Sequence, residues 1–259
     1  MRDPQVVSEP QEPWIGLRGR IGVVIPATNI SVEYDCQRLT IPGITWHFGR
    51  FPVDHTDLST DADFERFLEG IRPTIADAVA DLMSAEMTCI MMGMSSETFW
   101  GGLQGNAEFL AAVQRQIGAL GLTTGANAMV DALNRFDAKR IAVLTPYQPV
   151  GDQQVRNFFG ESGFEIRRLK GLRCRSATSI AHVPRGDVIR TVLKELDGDD
   201  IDAIIQVGTN LSTCDFFPTI EQMVGKPCIP INVATAWHAV RSLGVNDRIV
   251  GRGRLFEEF

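Results

Sequence analysis

Two related patterns each occur twice along this chain of 259 residues: a short, nearly continuous apolar run that gives way to a polar loop at proline, and one that does so at glycine. Ile21–Ile25 runs into Pro26-Ala27-Thr28-Asn29, and Ile141–Leu144 runs into Thr145-Pro146-Tyr147. Ile90-Met91-Met92 leads to Gly93-Met94-Ser95-Ser96-Glu97, and Ile204–Val207 leads to Gly208-Thr209-Asn210. The step from Ile21 to Ile90 is similar in length to that from Ile141 to Ile204. The echo therefore predicts two similar α/β halves facing each other, although strand–turn–helix units also resemble one another by chance. In open α/β sheets ligands lie beyond the carboxyl ends of the strands, which is where these four loops would converge.

The runs Ile21–Ile25, Cys89–Met92, Ile141–Leu144, Ile204–Val207 and Cys228–Ile231 have the length and apolarity of strands buried on both faces. Between them, Asp61–Ala85, Asn106–Leu120, Asp152–Ser162, Arg185–Leu196 and Ala234–Leu243 have helical spacing. This alternation predicts an α/β fold with mainly parallel sheets.

The formal net charge of -7 argues against nucleic acid or an anionic membrane as partner. No apolar run approaches the roughly 20 residues that span a bilayer. The five cysteines (Cys36, Cys89, Cys174, Cys214, Cys228) are irregularly spaced with no CxxC, and the four histidines follow no ligand pattern. Reduced thiols in a cytoplasmic protein without structural zinc are expected. Neither a phosphate-binding GxxxxGK[ST] motif nor a GxSxG nucleophile elbow is present.

The loops themselves are rich in small donors: Thr28 and Asn29; Ser95, Ser96 and Thr98; Thr209, Asn210, Ser212 and Thr213. At helix starts such residues either cap the helix or, with the backbone N–H groups, hold an anion such as a carboxylate. Glu97 either caps or pairs at the surface, or acts as a general base if burial raises its pKa.

At these loops the chain resembles the Asp/Glu racemase superfamily, in its maleate isomerase and arylmalonate decarboxylase branch. The resemblance is carried by Ile21–Asn29 with Glu33, Ser95–Phe99, Thr145-Pro146-Tyr147, Gly208–Thr213, Gly225-Lys226-Pro227, Asn232 and Ala236-Trp237. It implies two flavodoxin-like domains with parallel sheets related by pseudo-twofold symmetry, one inserted in the other. The corresponding division is an N-terminal arm over 1–17, a first domain of 18–125 plus 230–259, and a second of 126–229. It also implies a pocket between them, no metal or organic cofactor, and a small-molecule carboxylate as ligand, and it is compatible with a homo-oligomer. The family works with a cysteine in each half, or with one in the decarboxylases; those positions correspond here to Met94 and Gly208. With no thiol there, Tyr147 and Glu97 are the candidate catalytic residues, and Thr28, Asn29, Met94, Ser95, Ser96, Gly208, Thr209 and Asn210 the candidate substrate-binding ones. The expected activity is cofactor-independent isomerisation or decarboxylation with a non-cysteine acid/base set, the alternative being a silent carboxylate-binding protein.

Overall fold

The computed structural model describes residues 14–54 and 56–259, so most of the arm expected over 1–17 lies outside the described residues. Two four-stranded parallel sheets make up the core. In the first, β1 (Gly19–Pro26) lies between β2 (Ile44–Phe51) and β3 (Cys89–Met92), and β3 carries β4 (Gly121–Thr123), giving the order β2-β1-β3-β4. The second repeats this order with β5 (Arg140–Thr145), β6 (Glu165–Gly171), β7 (Ala203–Gln206) and β8 (Cys228–Pro230), as β6-β5-β7-β8. Even the register repeats: Ile21 faces Cys89 and Val24 faces Met92, while Ile141 faces Ala203 and Leu144 faces Gln206.

The central strands were legible because both of their faces are covered; Ile21, Val23, Ile90, Ile141, Val143 and Ile204 are fully buried. The edge strands β2 and β6 were not, because Ile-Thr-Trp-His-Phe-Gly-Arg-Phe and Glu-Ile-Arg-Arg-Leu-Lys-Gly keep polar positions on a half-exposed edge.

Helices cover the sheets. They are α1 (Ser31–Arg38), α2 (Asp61–Met83), α3 (Ser96–Phe99), α4 (Gly102–Ile117), α5 (Gly125–Arg135), α6 (Pro149–Glu161), α7 (Arg185–Thr191, continued by a π turn at Val192–Leu196), α8 (Phe217–Val224), α9 (Ile231–Ser242) and α10 (Arg254–Glu258). After β8 the chain crosses back, and α9 packs on α5, β3 and β4. None of the described helices is long and apolar enough to cross a membrane.

One face of α1 fastens the halves together. The Ser31 hydroxyl donates to the Asn210 carbonyl at 2.8 Å. One turn on, Asp35 accepts from Ser212 Oγ at 2.6 Å, Cys214 Sγ at 3.0 Å and Asn232 Nδ2 at 2.7 Å. At the exposed end, Asp215 pairs with Arg38 and Arg252 and accepts from the Tyr34 hydroxyl. The spacing of 31, 35 and 38 is that of one helical face, so an eight-residue helix meets the loop after β7 along its whole length.

Asp35 is only 1% exposed, and its burial pushes its pKa up to about 6 despite its three donors, with nearby Asp215 adding to the rise. The folded chain therefore holds a proton there more tightly than the unfolded chain, whose aspartate titrates near 3.9. The contribution of this group to stability is complete below pH 4 and is lost as pH rises through 6. Asp35→Asn should remove this dependence: denaturant titrations at pH 4 and 7 should show the wild-type-to-variant stability difference moving by on the order of 3 kcal/mol in the variant's favour.

Candidate active site

The carboxyl ends of six strands surround one cavity between the sheets, enclosing about 50 Å³ of space open to water. Pro26, Thr28 and Asn29 follow β1, and Met94, Ser95 and Ser96 follow β3. From the second half come Tyr147 after β5 and Gly208, Thr209 and Asn210 after β7. All eight residues expected to bind substrate thus meet here together with Tyr147. Their convergence follows from the repeated topology, since equivalent strands point their ends at one another.

The structure adds a wall that the sequence did not reveal. Leu58, Ala177 and Ile180 lie beyond the edge strands β2 and β6, and Phe64 and Phe67 come from α2. The segments carrying Leu58 and Ala177 are paired across the halves: Leu58 N–H donates to the Arg175 carbonyl at 2.8 Å and Ala177 N–H to the Thr56 carbonyl at 2.8 Å. No local motif marks these positions; their equivalence, one after each edge strand, was the only available signal.

Tyr147 is buried with its ring edge-on to Phe64, centroids 5.3 Å apart. Its hydroxyl lies 2.9 Å from Ser95 Oγ. Ser95 Oγ also accepts the Thr209 N–H at 3.3 Å. That backbone group can only donate, so Ser95 is free to pass its own proton toward Tyr147, leaving the phenolic proton to face the cavity. Burial pushes the phenol pKa up, partly opposed by Ser95, so Tyr147 stays protonated. Behind it, Arg173 donates to the Tyr147 carbonyl and to Asp152 Oδ2, and the Thr145 hydroxyl donates to Asp152 Oδ1.

Asn29 and Asn210 have a second task. Asn29 Oδ1 accepts the N–H groups of Ser31 and Val32, each at 3.0 Å, and Asn210 Oδ1 accepts that of Ile30 at 3.1 Å. The start of α1 is thereby satisfied by side-chain oxygens and does not offer the open backbone donors expected of an anion site. Asn29 Nδ2 donates to Thr209 Oγ1 at 3.1 Å, so the Thr209 proton is directed elsewhere. Glu33, at 2.6 Å from Arg50, holds the guanidinium that also donates to the Asn29 carbonyl at 2.9 Å.

Glu97 requires a correction: it does not line this cavity. Residues of a helical turn rotate by about 100° each, so the residue after Ser96 turns away from it. Its carboxylate pairs with Arg72 Nε at 2.7 Å and lines a separate cavity of about 470 Å³ between α2 and α4. Burial pushes its pKa up, and Arg72 opposes the rise. The cysteines are all free and buried, and none lines the cavity. Burial raises Cys89 to about 12 and Cys174 to about 11, and pushes Cys36, Cys214 and Cys228 up as well. His238, on α9, lies 2.9 Å from Thr123 and 3.0 Å from Asp131, away from the cavity.

Gly208 leaves no room for a thiol. Its φ is +106°, and a Cβ there would lie 2.4 Å from Pro146 Cδ and 2.5 Å from Cγ, atoms of a rigid ring. Gly208→Ala should therefore destabilise the fold by about 1–3 kcal/mol in denaturant titration, and Gly208→Cys by no less.

Comparison with known proteins agrees with this architecture. Residues 53–256 match the arylmalonate decarboxylase family model. A maleate isomerase from Nocardia farcinica is 26% identical over 254 residues, covering 94% of this chain and 97% of that one. The arylmalonate decarboxylase of Bordetella bronchiseptica is 24% identical over 242 residues, covering 92% and 96%. Among solved structures, the Nocardia farcinica maleate cis-trans isomerase, as a cysteine-to-serine variant with a covalently bound succinylcysteine intermediate, superposes with a TM-score of 0.82 at 24% identity. That match covers 93% of this chain and 98% of the isomerase. With the paired parallel sheets, the shared cavity and a family match over most of its length, this chain belongs to the arylmalonate decarboxylase family.

Proposed function

We propose that the protein is a cofactor-independent enzyme acting on a small carboxylic or dicarboxylic acid, with hydroxyl groups in place of the thiols. Loss of carbon dioxide is the reaction the cavity suits best. The observation that carries this reading is the Tyr147–Ser95 pair in a cavity whose described lining contains no Cys, His, Asp or Glu. Addition to a double bond needs a nucleophile, and racemisation needs a base to remove a proton. Decarboxylation of a malonate-type acid needs neither. The bond to the departing carboxylate breaks, its electron pair enters the remaining carboxylate as an enediolate, and the α-carbon then takes a proton.

The residues support each stage. Apolar Leu58, Phe64, Phe67 and Ile180 would strip water from the leaving carboxylate. Hydroxyls of Thr28, Ser96 and Thr209 would stabilise the enediolate, whose charge develops only as the bond breaks. Tyr147 would supply the proton; even with a raised pKa, a phenol is far more acidic than the carbon it protonates. Ser95 would then relay a proton from solvent water to the phenolate, giving its own proton to Tyr147 and regaining one from water, so that the proton consumed in each turnover comes from solvent.

A second reading, a carboxylate-binding protein without chemistry, is favoured by Met94 and Gly208 and by the small cavity. The two separate on incubation with phenylmalonate or maleate in D2O, followed by NMR. Decarboxylation yields carbon dioxide and one deuterium at the α-carbon, isomerisation yields fumarate, and a thermal shift without product supports the binding protein. For the enzyme, Tyr147→Phe should lower kcat by about 10²-fold or more, whereas Glu97→Gln, outside the cavity, should cost less than about tenfold. Equal losses in both variants would remove Tyr147 from its role.

A further inference from the structure

Two groups near the cavity have no part in the chemistry above: Asp35, buried on α1, and Asn232, on the first turn of α9. They are joined through Asn232 Nδ2, which donates to Asp35 Oδ2 at 2.7 Å and to the Thr209 carbonyl at 2.8 Å. Thr209 is the residue whose N–H reaches Ser95 and which lines the cavity. Both Asn232 and Asp35 are about as buried as side chains become, so neither exchanges its partners for water.

We infer that Asp35 and Asn232 together form a positioning unit that holds the Gly208–Thr213 loop across the interface, setting where Thr209 stands relative to Ser95 and Tyr147. The division of labour follows from donor counting. An asparagine amide has two protons, and Asn232 spends one on each half of the molecule. Without Asp35 the amide loses the acceptor that orients it, and the Thr209 carbonyl loses a donor of fixed direction. Ser212 Oγ and Cys214 Sγ, both donating to Asp35, pull the far end of the same loop to the same carboxylate. Asp35 thus holds the loop directly at 212 and 214 and, through Asn232, at 209. The assignment of Thr209 to the substrate's enediolate rests on the function proposed above; the positioning itself does not.

The test uses the full chain and hydrogen–deuterium exchange, with the 207–214 segment as reporter and β5 as internal reference. Asp35→Ala should speed exchange in 207–214 by about tenfold while β5 stays as in the wild type. Asp35→Asn should restore protection, since its oxygen can face Asn232 and its amide can donate to Ser212. Asn232→Ala cuts the same link, and adding Asp35→Ala to it should bring little further change around Thr209, the signature of a coupled pair. Should Asp35→Ala fail to fold, Asn232→Ala alone carries the comparison. Unchanged exchange in Asn232→Ala, equal acceleration in β5, or no rescue by Asp35→Asn would each overturn the positioning role, whether or not any acid is turned over. Conversely, if neither phenylmalonate nor maleate binds while the exchange results hold, the proposed reaction fails and the positioning unit stands.

Discussion

The first turn of α1 has backbone N–H groups that need acceptors, and they find them in the side chains of Asn29 and Asn210, one from each half of the molecule. Much of the site's geometry depends on this. The N–H of Ile30, just ahead of the helix in one half, takes its acceptor from Asn210 in the other, so the loops after β1 and β7 are held in contact. The same helix then buries Asp35 against Ser212, Cys214 and Asn232, extending the contact from the cavity's edge into the protein interior. Polar groups in such a place are costly unless paired, and pairing them all requires the two halves to sit in one arrangement. That arrangement puts Thr209 within reach of Ser95 and so completes the chain to Tyr147.

The site that results differs in chemical character from a thiol site. At Gly208 the proline ring of Pro146 fills the space a side chain would need, and a methionine stands at position 94. The remaining cysteines are buried as thiols. What the cavity retains is a set of hydroxyl and amide donors on one side and an aromatic and aliphatic wall on the other. Neutral donors fixed in a largely buried pocket stabilise charge as it forms without first being neutralised by it. The raised pKa of Tyr147 fits this environment, because burial keeps the phenol in its protonated form.

The central strands and the loops that follow them could be read directly from the residues. Ile21, Ile90, Ile141 and Ile204 lie in strands whose burial on both faces leaves an unbroken apolar signature, and a proline or a glycine marks where each strand gives way to its loop. Repetition then placed Thr28, Asn29, Ser95, Tyr147 and Thr209 at one end of the molecule. Edge strands carry no such signature, because Glu165 and Arg167 in β6 face water between partly buried neighbours. Glu97 illustrates a finer limit. Its position in the chain, next to Ser96, suggested the cavity, but helical rotation turned it toward Arg72 and a different cavity.

By itself, then, the order of residues determined that two parallel sheets of one plan would form and that their polar loops would share an end, since apolar periodicity and strand length are local properties. Which atoms of those loops remain available for a ligand was decided only by tertiary structure. Asn29 and Asn210 could have offered their oxygens to solvent, but the orphan N–H groups of α1 claim them; Glu97 could have entered the cavity, but rotation and Arg72 keep it out. The physical reason is that hydrogen-bond donors and acceptors are assigned by proximity across the whole fold, and residues about 180 positions apart, such as Asn29 and Thr209, become neighbours only after the halves have packed.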